Sequence, residues 1–388
     1  MQKIYLDNAA TSWPKPPAVV EAITGFLKEV GCNPGRGGYD CALEAGRIIL
    51  NCRLNLAELL NVPSPEQIVF TANVTTALNI AIKGLLRPGD HVITSSLEHN
   101  AVLRPLRAME KNKTIELDFA PYHPQCSIDP QDIRKLIKPK TKMLILTHSS
   151  NVTGEILPLK KAGKIARENH IFFVVDAAQT AGIYPVDFSA LNADVLAFTG
   201  HKGLMGPPGT GGMALSHRAA KKMVPLLEGG TGSISDSEEQ PHFLPDKFES
   251  GTLNTPGIAG LGAAIESLEK QDQGKNRKKL AELTRDFLEG AQSIPQVKVQ
   301  GPQGLDNRTA LVSITIEGHD LGKIAEQLDR EFNIQVRSGL HCSPLSHKSL
   351  GTFPEGTLRF SMGLFNTRNH ISQALVGLER CIKKSNRF

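Results

Sequence analysis

The chain has 388 residues, 40% of them hydrophobic and 21% charged, with 44 Lys and Arg against 39 Asp and Glu for a net charge of +5. This is the balance of a folded globular protein too long for one small core, so two domains are expected, or three. The surplus of positive charge has no long run of one sign behind it and gives no reason to expect nucleic acid as a partner. No apolar stretch of ~18 residues suggests a membrane span, and Met1-Gln-Lys-Ile-Tyr-Leu-Asp-Asn8 lacks the apolar core of a signal peptide. The six cysteines, at 32, 41, 52, 126, 342 and 381, contain no Cys-x-x-Cys pair and are expected as reduced thiols of a cytoplasmic protein. There is no His-Glu-x-x-His and no Cys/His ligand set, so no metal site is expected.

Taken in chain order, short β-rich runs alternate with helical patterns. Strands are expected at Gln67-Ile-Val-Phe-Thr71, His91-Val-Ile-Thr94, Ile115-Glu-Leu-Asp-Phe119, Met143-Leu-Ile-Leu-Thr147, Ile171-Phe-Phe-Val-Val175, Val195-Leu-Ala-Phe198 and Gly211-Gly-Met-Ala-Leu215. Four of these are nearly continuous apolar runs, the pattern of strands buried on both faces of a mainly parallel sheet. Helices such as 159–169 fit between them, which gives an α/β large domain over 16–256. Its last part, from residue 229, is polar and Gly-rich and reads as a loop. A long helical pattern over about 258–292 follows. A smaller α/β domain, formed by 257–388 with 1–15, has strands near 309–316 and 334–336 and helices near 321–332 and 370–383.

Two of the buried runs end in reactive groups. The run ending at Val175 leads into Asp176-Ala-Ala-Gln179, and the run ending at Phe198 leads into Thr199-Gly-His-Lys202. In open α/β sheets ligands sit outside the carboxyl ends of the strands, so this acid and this lysine face one crevice. A lysine for a Schiff base, beside a carboxylate that keeps a pyridine nitrogen protonated, is what pyridoxal 5′-phosphate (PLP) requires. Taken singly, Asp176 has the plainer reading of a helix cap and Lys202 of a solvated loop lysine. The run Gly206-Pro-Pro-Gly-Thr-Gly-Gly212-Met213 superficially matches an ATPase phosphate loop. Gly212 and Met213 stand where the Lys and Ser/Thr of such a loop belong, which excludes that function.

Nine segments in order resemble the cysteine desulfurase and selenocysteine lyase family of the class V aminotransferase superfamily, fold-type I PLP enzymes. They are Tyr5-Leu-Asp-Asn-Ala-Ala-Thr11, Asn33-Pro-Gly-Arg-Gly-Gly-Tyr39, Phe70-Thr-Ala-Asn-Val-Thr75, Glu98-His-Asn100, His148-Ser-Ser-Asn151, Asp176-Ala-Ala-Gln179, Thr199-Gly-His-Lys202, Phe248-Glu-Ser-Gly-Thr252 and Arg337-Ser-Gly-Leu-His-Cys342. The implied fold is a large domain with a seven-stranded, mainly parallel sheet and a smaller α/β C-terminal domain. The implied roles follow residue by residue. Lys202 carries PLP and moves the Cα proton, Asp176 pairs with the pyridinium, and His99 stacks on the ring. Gln179 and Asn151 sit near the ring hydroxyl. Thr75, Thr199 and His201 hold the phosphate with backbone amides around Val74, and Thr252 reaches it from the partner of a homodimer. Two departures are Val74, where the family often has threonine, and Asn100, where a second histidine is common.

The reaction is selected near the C-terminus. Cys342 resembles the family's nucleophilic cysteine, and Arg359, in Thr357-Leu-Arg-Phe-Ser361, its carboxylate anchor. Arg337 and Asn151 are expected to help bind substrate, and Arg337 and His341 to favour the Cys342 thiolate. The polar, Pro-broken flanks of Cys342 argue for an exposed loop rather than an inert core thiol. The short interval to Arg359 resembles the group of desulfurases with a compact cysteine loop. The implied activity converts L-cysteine to L-alanine with a persulfide on Cys342, passed on to an accepting protein or small thiol. L-selenocysteine is an alternative substrate. Another class V enzyme, whether a selenocysteine lyase, C–S lyase, aminotransferase or epimerase, shares every cofactor residue and differs only around Cys342.

Overall fold

In this computed structural model, residues 3–35, 37–123 and 127–385 are described, so Arg36 of the 33–39 segment and Cys126 lie outside them. The seven anticipated strands form one sheet: β1 (Ile68–Thr71), β2 (Asp90–Ser95), β3 (Ile115–Ala120), β4 (Thr141–Thr147), β5 (Phe172–Asp176), β6 (Val195–Thr199) and β7 (Gly211–Leu215). Their order is β1-β7-β6-β5-β4-β2-β3, with β7 antiparallel to both neighbours and every other pair parallel. Strands β5 and β6 are buried along their whole length. Successive side chains leave opposite faces, so Phe173, Val175, Leu196 and Phe198 join one apolar cluster while Phe172, Val174, Val195 and Ala197 join another. This is why these strands read as unbroken apolar runs.

A second sheet is antiparallel throughout: β8 (Val297–Gln300), β9 (Leu311–Ile316), β10 (Arg337–Gly339) and β11 (Thr357–Ser361), in the order β8-β9-β11-β10. Helices Leu321–Phe332 and Arg368–Ser385 pack against each other beside it. The N-terminal segment belongs to this layer. Ile4–Tyr5 pairs in parallel with Ile334–Gln335, Asp7 bridges to Ser361, and Ile4 and Leu6 share a core with Phe287, Val312 and Phe360.

Two expectations are corrected. The helix anticipated over 258–292 is two helices, Thr255–Glu269 and Gln273–Gln292. The break falls where the Asp272 carboxylate accepts the Lys275 N–H at 3.0 Å and so starts a new helix. The cysteines are not all reduced thiols: Cys32 and Cys41 form a disulfide, with Cα atoms 5.8 Å apart. Gly31, at φ 59°, turns the chain back after the preceding helical turn and brings Cys32 to the first turn of helix Asp40–Leu59. Cys52 and Cys381 are buried outside any disulfide, and Cys342 is exposed. Among the described residues no helix is long and apolar enough to cross a membrane.

A buried ion pair fixes the segment leading to Thr252. Arg53 grips Glu249 through both terminal nitrogens, at 2.9 and 2.8 Å, and also donates to the Ile68 carbonyl. Glu249 Oε1 additionally accepts the Phe70 N–H at 2.6 Å. Removing one partner strands a charge in the core, so Glu249→Ala should lower the unfolding free energy by about 3–5 kcal/mol. Urea denaturation of the variant beside wild type measures it.

Candidate active site

The carboxyl edge of the large sheet collects the expected residues. Asp176 ends β5, is buried, and accepts the Ala178 N–H at 2.9 Å on Oδ1. Burial pushes its carboxyl above the ordinary carboxylate value, against the opposing pull of that N–H and of Lys202. Lys202 lies in the turn after β6 and is half-buried. Burial draws its amine down to about 8, with Asp176 pulling the other way. Across the edge, His99 caps helix Asn100–Lys111 by accepting the Ala101 N–H on Nδ1 at 3.0 Å. Burial, then the Lys202 and Arg104 charges, hold His99 down at about 4, so its ring is neutral near pH 7.

The turn that carries Lys202 is clamped by the N-terminal segment. The His201 carbonyl accepts from Ser12 N–H at 3.0 Å, Thr11 Oγ1 at 3.0 Å and Lys15 Nζ at 2.8 Å. Burial and the Lys202 charge draw the His201 ring down to about 4. Gln179 donates to the Ala9 carbonyl at 3.2 Å and lines one cavity with Lys202 and Asn8. Thr199 Oγ1 is buried and has no partner among the described residues. Helix Val74–Leu85 starts at Val74 under an Asn73 cap, with Thr75 exposed on its first turn. Thr252 stands apart. It is exposed and lines a separate cavity of about 300 Å³ with Thr71, Thr76 and Gly211 rather than the one lined by Lys202.

The cysteine loop is pinned from three sides. Asn151, buried at the end of the β4 edge, donates to the His341 carbonyl at 2.6 Å and accepts the Ser343 hydroxyl at 2.7 Å, one residue to either side of Cys342. The Asn100 N–H donates to the Cys342 carbonyl at 2.8 Å. His341 and Cys342 both take left-handed backbone conformations, at φ 47° and 58°, a geometry that non-glycine residues hold only when their surroundings impose it. The Cys342 side chain is exposed. The expectation for His341 is corrected: its ring is buried, with Nε2 3.0 Å from Thr357 Oγ1, and burial together with the Arg359 charge drives it down to about 2. It is neutral and brings no positive charge to the thiol.

Arg359 rises from the middle of β11 with its guanidinium buried, donating to the Asn151 carbonyl at 3.0 Å and to Asp7 at 2.8 Å. Arg337, half exposed at the start of β10, also donates to Asp7 at 3.1 Å. The large sheet thus brings Asp176, Lys202, Thr199 and His201 together, while Asn151 ties Arg359 and the Cys342 loop to the same edge and Asp7 joins Arg337 to Arg359.

A profile of the aminotransferase class-V family matches residues 4–374. The chain belongs to the aminotransferase class-V family. A probable cysteine desulfurase of Methanothermobacter thermautotrophicus is 36% identical over 95% of this chain and 92% of that protein. Another from Pyrococcus abyssi is 35% identical over 98% of this chain and 94% of that one. The apo structure of the cysteine desulfurase of Thermococcus onnurineus superposes with a TM-score of 0.92 at 32% identity, covering 98% of this chain and 95% of that one. Class V aminotransferases and cysteine desulfurases are PLP-dependent, and the seven-stranded α/β architecture is that of fold-type I.

The residues present fit that cofactor. An amine near neutrality beside a buried carboxylate suits a Schiff base and a pyridinium. The unpartnered Thr199 hydroxyl and the start of helix Val74–Leu85 suit an anionic group. Two further residues of these motifs, Asp7 and Glu98, stand in the site without a local sequence signal for it. Glu98 is wholly buried, accepts from Ser95 Oγ at 2.6 Å and Thr147 N–H at 3.0 Å, and is pushed up to about 8 by burial, with Asp176 adding to the rise. Only its total burial next to Asp176 marks it.

The neutral amine is the form that condenses with the cofactor aldehyde, and the neutral fraction grows as pH rises through the amine's pKa. The rate of PLP attachment to apoprotein should therefore climb through pH about 8, not near the ordinary lysine value of 10.5. Absorbance of the bound cofactor, followed over pH 6.5–9.5, reads this out. A rate still rising steeply above pH ~9.5 contradicts it.

Proposed function

We propose that this chain is a cysteine desulfurase that converts L-cysteine to L-alanine and receives the sulfur on Cys342. The observation that carries the reading is an exposed thiol held in a strained loop whose anchor, Asn151, also holds the buried guanidinium of Arg359. Relatives at 30–36% identity spanning nearly the whole chain bear the same name.

Bound PLP supplies the electron sink that makes the substrate Cα–H acidic. Arg359, with Arg337 and Asn151 beside it, binds the substrate carboxylate and fixes its orientation. Lys202 Nζ would carry the cofactor and, as a neutral amine, would move the substrate Cα proton. Asp176 would keep the pyridine nitrogen protonated, and His99, neutral and flat, would cover the ring. Gln179 would hold the ring hydroxyl, and Thr75, Thr199, His201 and the amides around Val74 would hold the phosphate. Cys342, as thiolate, attacks the substrate sulfur. An S–S bond forms, the substrate Cβ–S bond breaks, and its electron pair stays with the three-carbon fragment, which leaves as alanine after protonation. The persulfide then passes to an accepting protein or small thiol.

The same reading divides the chain into a cofactor-binding domain over 16–256 and a small domain from 1–15 and 257–388. Separate apolar cores under the two sheets support that division. It also makes the protein a homodimer. Leu43, Leu50 and Leu54 are 47%, 50% and 44% exposed on helix Asp40–Leu59, spaced as one stripe, and Leu27 nearby is 63% exposed. Thr252, exposed and away from Lys202 in its own chain, is then placed to serve the partner's phosphate. Wild type should sediment as a dimer, and Leu50→Glu should shift it toward monomer with loss of turnover; a fully active monomeric wild type refutes the shared site.

Cys342→Ala separates a desulfurase from the other class V activities. The variant should hold PLP and bind L-cysteine, seen by absorbance, while alanine production falls at least ~100-fold, the pattern of a group acting only in a later transition state. Mass spectrometry of wild type after brief exposure to L-cysteine should find one added sulfur on Cys342. Alanine and sulfide made at the wild-type rate by the variant would make the protein a lyase without a protein nucleophile.

A further inference from the structure

Asp7 has no part in the chemistry above, yet it stands inside its machinery. It follows the strand Ile4–Tyr5, and its bridge to Ser361 on β11 lays its carboxylate between two guanidiniums. Oδ1 accepts from Arg359 Nη2 at 2.8 Å, and Oδ2 from Arg337 Nε at 3.1 Å. The side chains of Asp7 and Arg359 are only 13% and 3% exposed, while Arg337 is 48% exposed. Arg359 gives its other terminal nitrogen to the Asn151 carbonyl, which leaves Nε, buried and without a partner among the described residues. A side-on grip on a carboxylate uses Nε and one Nη. An incoming α-carboxylate that takes Nε therefore shares Nη2 with Asp7.

We propose that Asp7 is a specificity-determining counter-charge, which weakens the binding of amino-acid carboxylates at Arg359 and limits the site to a single carboxylate. The inference rests on the reading of Arg359 as the carboxylate anchor. Two carboxylates on one guanidinium repel, and the repulsion is strong where water is largely excluded. Arg337 holds the second oxygen of Asp7 and keeps it from turning away. Without Asp7, the guanidiniums of Arg359 and Arg337 would have no counter-charge between them, and the cleft would retain anions broadly. Alanine carries the same carboxylate as cysteine, so a site that grips that group too tightly holds its product. A second carboxylate on the substrate side chain would meet Asp7 directly.

The test compares wild-type, Asp7→Asn and Arg359→Ala holoenzymes. Asparagine keeps the shape and one acceptor of Asp7 while removing the charge. L-alanine, titrated by the change in cofactor absorbance, should bind Asp7→Asn on the order of ten-fold more tightly than wild type. The KM for L-cysteine should fall, and inhibition by L-aspartate should strengthen. A merely structural Asp7 predicts the reverse sign, because a loosened Arg359 binds carboxylates more weakly; weaker or unchanged binding of L-alanine by Asp7→Asn overturns the proposal. Arg359→Ala shows whether the underlying reading stands. If it binds L-alanine as tightly as wild type, Arg359 is not the anchor, and that reading falls together with the inference whatever Asp7→Asn does.

Discussion

Asp176 and Lys202 leave neighbouring parallel strands at one edge of the sheet and enter a crevice that penalises charge on both. Burial raises the acid and lowers the amine, and the attraction between them offsets only part of each shift. The same dryness neutralises the groups around them, with Glu98 pushed up and His99 and His201 pushed down. A lysine that stays charged is a poor nucleophile, and a histidine that stays charged would repel a pyridinium. One physical condition, exclusion of water at the carboxyl edge, therefore prepares several residues for one cofactor. It depends on the flanking strands being apolar on both faces, since any polar residue there would let water approach the pair.

The cysteine loop obeys a different constraint. Its residues are individually unsuited to their backbone conformations, and each is held by a hydrogen bond from an element distant in sequence: Asn151 from the large sheet, Asn100 from the helix beside it, and Thr357 from β11. The strain near Cys342 is sustained because both sheets converge on it. The thiol is thereby fixed at its base and open at its side chain.

Much of this was readable before any coordinates. All seven strands of the large sheet announced themselves, because strands buried on both faces are apolar at every position and so differ from everything around them. Lys202 and Asp176 could be placed because strand ends point to the ligand side of a parallel sheet. What stayed hidden were relations between residues far apart in the chain. Nothing local in Ile4–Tyr5 says that it pairs with Ile334–Gln335, so the position of Asp7 between Arg337 and Arg359 could not be seen. The Cys32–Cys41 disulfide was missed because a spacing that matches no known motif says nothing about which way the loop folds back. His341 misled for a related reason. A histidine beside a cysteine suggests a cation, but burial against Thr357 and the charge of Arg359, both supplied by the tertiary fold, remove it.

The charges that survive in the cleft explain what it can admit. Arg337 and Arg359 converge there with Asp7 between them, while burial pushes Glu98 toward its neutral acid and Lys15 and Lys202 toward their neutral amines. The two guanidiniums against the one Asp7 carboxylate leave a local excess of positive charge, which favours anions. The excess is local rather than global, since the chain as a whole carries only +5. The carboxylates of the two sheets stand apart: Asp176 ends β5 of the large sheet, and Asp7 lies between Arg337 and Arg359 of the small one. The N-terminal segment, packed as a strand of the small layer yet clamping the turn of Lys202 through His201, ties the two sheets together.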